Sequence, residues 1–207
     1  MPRTMASDMM DRKKEMEKLF KVHWACAVNA VNYVSSKMTT GADDKLDNVY
    51  YQLLVEQRWA RSCVNEMRDD VEKEVLLKQK EEMKKPGADR TRIGAGGDVY
   101  WRIRIETEAR RAAQTGCGNC GEQASMAFVY LRDMCKISPL DYLSYLDGDH
   151  SFVAIGRIEE SIESSPSTWG HSTVICDPWG EGVYTLDQFM TRYPGRFDSE
   201  FRYQREE

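Results

Sequence analysis

The spacing of apolar residues changes along the chain, and this change limits the fold more than any other feature. From about Ser7 to Met38 they recur three and four apart, at Met16, Leu19, Phe20, His23, Trp24, Ala27, Val31 and Val34. That is the pattern of a helix burying one face, with Lys13, Lys14, Glu17 and Lys18 on the other. Thr39 to Asp44 interrupts it with turn residues. A second helical stripe follows at Val49, Leu53, Ala60, Val64, Met67, Val71 and Val75. Together they predict an antiparallel helical hairpin within residues 1–85. It either packs against the rest of the chain or acts as a docking arm. The mixed-charge run Lys78 to Lys85 reads as a solvated helix end. Pro86-Gly87-Ala88-Asp89 stops that helix, and residues 86–97, with Gly94, Gly96 and Gly97, read as a linker. No Gly-Lys-Ser/Thr follows these glycines, so a phosphate loop is rejected.

Period two then takes over. Val99, Trp101, Ile103 and Ile105 alternate with polar residues and predict a strand, giving way to helix-favouring sequence from Glu106. Asp149 to Gly156 and Thr173 to Cys176 read as buried strands, and Thr185 to Met190 as a short helix over the sheet. The fold class is therefore α+β, with a second domain over residues 98–207. A hydrophobic content of 41% and a charged content of 30% suit a soluble globular protein. The net charge of −5 gives no footing for nucleic acid, and no apolar run approaches a membrane span. Met1-Pro2-Arg3-Thr4 lacks the apolar core of a secretory signal, so synthesis in the cytoplasm is expected.

The chemistry concentrates at Gln114-Thr115-Gly116-Cys117-Gly118-Asn119-Cys120-Gly121. After it, Ala124, Ala127, Phe128, Leu131 and Cys135 share a helical face. A glycine-rich turn thus feeds a buried helix, with Cys120 in its first turn. There the helix dipole and free N–H groups favour a thiolate, and the Cys120 N–H can serve an oxyanion. A thiol nucleophile needs a base held by a third group. Of three histidines, His23 lies on the apolar stripe of the first helix and reads as structural. His150 stands at the mouth of a core strand. Asp177 ends the next strand, before Pro178-Trp179-Gly180, where it can orient an imidazole.

Gln114-x-x-Cys117-Gly118-x-Cys120 resembles the nucleophile signature of papain-like cysteine proteases. Asp149 to Gly156 resembles that family's histidine strand, and Asp177-Pro178-Trp179-Gly180 its Asn-Ser-Trp-Gly segment. His150 follows Cys120 by only 30 positions, the third group is a carboxylate, and Gly121 replaces a tryptophan. These features are closer to transglutaminase-like domains and to the compact bacterial effector and toxin domains built on that core. The resemblance covers roughly residues 98–190 and implies a papain- or transglutaminase-like core, its nucleophile helix on a small antiparallel sheet. It implies Cys120, His150 and Asp177 as catalytic triad, with Gln114 and the Cys120 N–H as oxyanion hole. Asn119, Gly121, His171 and Trp179 are the substrate-binding candidates. It implies no cofactor or metal, a protein substrate modified at glutamine, and an inhibitor, immunity or chaperone protein as further partner. It also implies delivery into a target cell by a specialised secretion system. Proteolysis by the same machinery is the runner-up.

Rival readings use the same residues. Cys117-x-x-Cys120 is also half a zinc site or a redox dithiol, which would make the chain an interaction module. Neither a second Cys-x-x-Cys nor a βαβ setting accompanies it. His171 competes as base, but six strand residues from Asp177 is roughly 20 Å, beyond hydrogen bonding. Six cysteines permit disulfides, yet a reducing compartment argues against them. Cys26, Cys63, Cys117, Cys135 and Cys176 therefore read as small packed residues. Gly156 to Gly170 reads as a mobile connection, either a lid or a solvated insertion.

Overall fold

The computed structural model describes residues 5–42 and 51–205. Met1 to Thr4, Asp43, Asp44 and Val49 of the sequence patterns lie outside the described residues, as does the side chain of Leu53. The elements are α1 (Met5–Lys37), α2 (Tyr51–Met83), α3 (Arg90–Ile93), α4 (Asp98–Thr115), α5 (Cys120–Asp133), β1 (Leu140–Tyr145), β2 (His150–Ile155), β3 (Val174–Asp177), β4 (Gly182–Thr185), α6 (Leu186–Arg192) and β5 (Phe197–Tyr203). The strands form one antiparallel sheet in the order β4-β3-β2-β1-β5. The architecture is α+β.

Alternation along the strands divides the core in two. Val153 and Ile155 of β2, Val174 and Cys176 of β3, and Leu140 and Tyr142 of β1 face the helical layer of α1, α4 and α5. Phe152 and Ala154, Ile175, and Leu143 face the opposite side. There Trp169, Phe189 of α6 and Phe197 of β5 complete an aromatic cluster. Helix α6 starts where the sequence places it. Thr185 is its N-cap and Gln188 closes a capping box.

The two long helices are built as their stripes require. In α1 the residues His23, Ala27, Ala30 and Val34 are buried, while Met16 and Leu19 are each 45% exposed. In α2 the buried set is Ala60, Val64, Met67, Val71 and Val75. Among the described residues the two helices do not pack chiefly on each other, as the predicted hairpin would. Among the described residues, α1 packs against α5, β3 and β4, whereas α2 packs against α4. Each stripe found its partner elsewhere in the chain, because burial rewards area and not sequence proximity.

The predicted strand over residues 99–105 is also corrected: those residues open α4. Ile103 packs towards α2 with Val64, Met67 and Val71. Ile105, Ala109 and Ala112 pack towards α5 and the sheet. A helix buried on two sides carries apolar residues at adjoining angles, and over one or two turns this mimics period two. The connection between β2 and β3 is tied down from within. Trp169 is fully buried and donates its indole N–H to the Ile162 carbonyl at 3.0 Å, and Ile158 N–H donates to the Trp169 carbonyl at 3.0 Å.

Candidate active site

Helix α4 ends at Gly116, whose φ of 72° gives the left-handed C-cap that glycine adopts most readily. Three residues later Asn119 caps α5, and Cys120 is its first residue, 8% exposed. The turn between them is held by α2. Cys117 is disulfide-bonded to Cys63. Arg68, one turn further along α2, grips Glu122 with two bonds, Nε to Oε1 at 2.6 Å and Nη2 to Oε2 at 3.0 Å. Glu122 in turn accepts the Asn119 backbone N–H at 2.9 Å. One helix therefore fixes the turn before Cys120 at a covalent and an ionic point.

The disulfide corrects the expectation that Cys63 and Cys117 are simply packed thiols. Two distant segments bring them together, which spacing cannot forecast. It also bears on the rival readings. A sulfur bonded to Cys63 is neither a zinc ligand nor half of a Cys117/Cys120 dithiol. Among the described residues, no group of three or more His, Cys, Asp and Glu side chains is arranged to hold a metal. Cys26, Cys120, Cys135 and Cys176 take no part in a disulfide. Burial, then the neighbouring Cys26 thiol, pushes the Cys135 thiol up to about 12. Burial likewise raises Cys176.

His150 and Asp177 meet on the face of the sheet covered by α6. His150 is 8% exposed and Asp177 fully buried. His150 Nε2 lies 3.0 Å from Asp177 Oδ1. That distance is within hydrogen-bonding range, although the ring N–H is not well aligned with the carboxylate oxygen. Register explains the meeting. Val153 pairs with Cys176, so Asp177 continues alongside the start of β2. Burial alone would raise the Asp177 pKa. The hydrogen bond and charge of His150, the Gly180 N–H at 2.9 Å and the Tyr193 hydroxyl at 2.8 Å outweigh it and hold the carboxyl below its usual value. Gly180 is required by contact: a methyl there would overlap the Asp177 carboxylate.

The imidazole has aromatic neighbours on several sides. Its centroid lies 5.2 Å from Trp179, 5.5 Å from Phe152 and 5.2 Å from Tyr193, the last nearly parallel at 25°. With Nε2 turned to Asp177, Nδ1 is the nitrogen left for a reacting partner. Cys120 Sγ lies 3.9 Å from the carbonyl oxygen of Asp149, the residue immediately before His150. The nucleophile helix and the histidine strand thus touch at their N-terminal ends. Beneath them Tyr142 of β1 donates to the Gly121 carbonyl at 3.1 Å.

Other predicted site residues fall differently. Gln114 is exposed in the last turn of α4 and accepts from Arg110 Nη1 at 3.2 Å. His171 is exposed on a turn before β3. His23, read as structural, is buried in α1, with Nδ1 3.0 Å from the Ser172 carbonyl oxygen. Burial lowers its pKa, and the Ser172 bond only partly opposes this. Sequence reasoning missed Tyr193, Arg68 and Glu122. For Glu122 a signal existed, since Asn-x-x-Glu before an apolar run is a cap pattern. For Arg68 and Tyr193 there was none, because their partners are set by tertiary packing. Among the described residues, no helix is long and apolar enough to cross a membrane. No protein-family model and no curated protein matches the chain.

Proposed function

We propose that the protein is a cysteine-dependent acyl-transfer enzyme acting on amide bonds of a target protein, of the glutamine deamidase or transglutaminase type, on a papain- or transglutaminase-like core. One observation carries this reading. The buried His150–Asp177 pair stands at 3.0 Å, beside the first turn of the helix that opens on Cys120.

In this reading Asp177 holds Nε2 and fixes the imidazole, so that Nδ1 takes the proton of Cys120. The thiolate, favoured at a helix N-terminus, attacks the carboxamide carbon. The Cys120 N–H binds the oxyanion. Gln114, whose Oε1 accepts from Arg110, is the further candidate donor through its Nε2. His150 returns its proton to the departing nitrogen, ammonia leaves and a thioester remains. Water, activated by the same imidazole, releases the acid and regenerates the thiol. An amine in place of water gives the cross-linked product. Delivery as a bacterial effector or toxin remains part of the proposal through the resemblance of the three motifs.

The test uses casein and a small glutamine dipeptide as acyl donors, with ammonium release and hydroxylamine trapping of the thioester as readouts. Cys120→Ala and His150→Ala are expected to lower both by at least about 10³-fold, with near-native far-ultraviolet circular dichroism. Cleaved casein without ammonium would replace deamidation by proteolysis. Wild-type rates in Cys120→Ala would end the acyl-transfer reading.

A further inference from the structure

We propose that Tyr193 is a positioning residue of this site: its hydroxyl fixes the Asp177 carboxylate, its ring fixes the His150 imidazole, and Arg192 anchors it from the surface. The proposal rests on the acyl-transfer reading above.

Asp177 Oδ1 faces His150 Nε2 at 3.0 Å and accepts from Gly180 N at 2.9 Å. Oδ2 accepts from the Tyr193 hydroxyl at 2.8 Å. A carboxylate held through one oxygen can rotate about its Cβ–Cγ bond. Held through both, from the β3–β4 turn on one side and the end of α6 on the other, its plane is set. The same tyrosine ring stacks on the imidazole at 5.2 Å and 25°, with Trp179 and Phe152 as further aromatic neighbours. One side chain thus constrains both members of the pair.

Tyr193 is itself well anchored. It is the C-cap of α6, and its N–H bonds to the Phe189 carbonyl at 2.8 Å. Exposed Arg192 donates from Nε to the Tyr193 hydroxyl at 3.3 Å, and its guanidinium lies over the Tyr184 ring at 5.5 Å. The hydroxyl accepts from Arg192 and donates to Asp177, so its orientation is determined. The charged and titratable groups around it are Asp177 of β3, His150 of β2, Arg192 of α6, Tyr145 of β1 and, beyond Arg192, Tyr184 of β4. Burial first, with the Asp177 charge adding to it, holds the phenol well above its ordinary pKa, so it stays a donor at neutral pH. A residue of packing value alone would need only the ring, which contacts Phe152 and Phe189.

Tyr193→Phe separates the two roles, because it keeps the ring and deletes the donor. The measurement is the rate of Cys120 alkylation by iodoacetamide across pH, resolved by peptide mass spectrometry. It is made in wild type, Tyr193→Phe, Asp177→Asn, the double variant and His150→Ala. Tyr193→Phe is expected to slow Cys120 roughly three- to tenfold near about pH 6. Its midpoint should move towards the ~8.5 of a free thiol. In the Asp177→Asn background the same change should have no further effect, since Tyr193 acts through Asp177. Should Tyr193→Phe fail to fold, Arg192→Gln carries the comparison, with a smaller shift in the same direction. Superimposable wild-type and variant profiles, or an equal loss in the Asp177→Asn background, would overturn the positioning role. If His150→Ala also leaves Cys120 unchanged, the acyl-transfer reading fails first. If only His150→Ala moves the profile, that reading stands and the Tyr193 inference alone falls.

Discussion

Asp177 shows how much one residue's chemistry depends on what surrounds it. A buried carboxylate is costly unless charged and neutral donors satisfy it. His150, Gly180 and Tyr193 together do so. Its folded pKa is depressed, so the stability it contributes is present above the unfolded value of about 3.9 and is lost as pH falls through the lower folded value. Asp177→Asn removes that charge. Its acid unfolding curve is therefore expected to be flatter than that of wild type below about pH 4, as read by circular dichroism. If the proposed acyl transfer holds, the rate of ammonium release should fall by about 10²-fold or more, because an amide no longer imposes the imidazole orientation. Equal acid sensitivity in both proteins would show that Asp177 does not titrate as its surroundings require. The places of Cys120, His150 and Asp177 at element boundaries were legible in the sequence, because each carries a local signature. Tyr193 was not, since nothing near residue 193 announces a carboxylate sixteen positions earlier.

At the scale of elements, α2 is the holder of the turn that leads into Cys120. Arg68 on α2 has a half-exposed side chain, whereas its partner Glu122 is buried. Removing the arginine leaves a buried carboxylate with only its cap bond to Asn119. Arg68→Ala is expected to destabilise by about 1–3 kcal/mol in urea unfolding, a figure already discounted for the solvent reaching Arg68. Arg68→Lys should recover only part of this, because it cannot match the two-pronged geometry. A loss below about 0.5 kcal/mol would place the pair among surface ion pairs. Helix α2 also binds α4 through Glu72 with Arg104, and through Glu74 with Arg110 and Arg111. Lys78 and Arg110 overcome the desolvation of Glu74 and lower its carboxyl to about 2. That network joins two helices that the sequence assigned to different domains.

Over the whole molecule, the Cys63–Cys117 bond closes a loop across a sequence separation of 54 residues. A cross-link of that span restricts the unfolded chain by about 4 kcal/mol in the loop-entropy picture. For a chain of this size, reduction is then expected to lower the thermal midpoint by roughly 8–16 °C. Differential scanning calorimetry with and without a phosphine reductant checks this. A Cys63→Ser/Cys117→Ser variant should show no response to the reductant. Reagent access is open, since Cys63 lines a surface cavity of ≈ 510 Å³. On the other side of the molecule α1 is tied beneath the sheet. His23 meets the Ser172 carbonyl, and the Cys176 thiol meets the Ala27 carbonyl at 3.7 Å. The domain boundary expected near residue 98 is thus crossed by packing from both long helices.

What the sequence by itself determined is the set of features written in local chemistry, in one-sided helical burial and in short continuous apolar runs. The stripes His23–Ala27–Val34 and Ala60–Val64–Met67–Val71–Val75, the strands ending at Ile155 and Asp177, the Thr185 cap and the helix that opens on Cys120 all belong to it. Periodicity reports a face turned to the core, and a single face gives a clean signal. The tertiary structure alone decided the rest. It made residues 99–105 helix, because α4 is buried from two sides and its period is blurred. It chose Cys63 as the partner of Cys117, separated α1 from α2, and turned Gln114 to Arg110. These outcomes depend on which surfaces meet across the chain, and residue spacing carries no record of that.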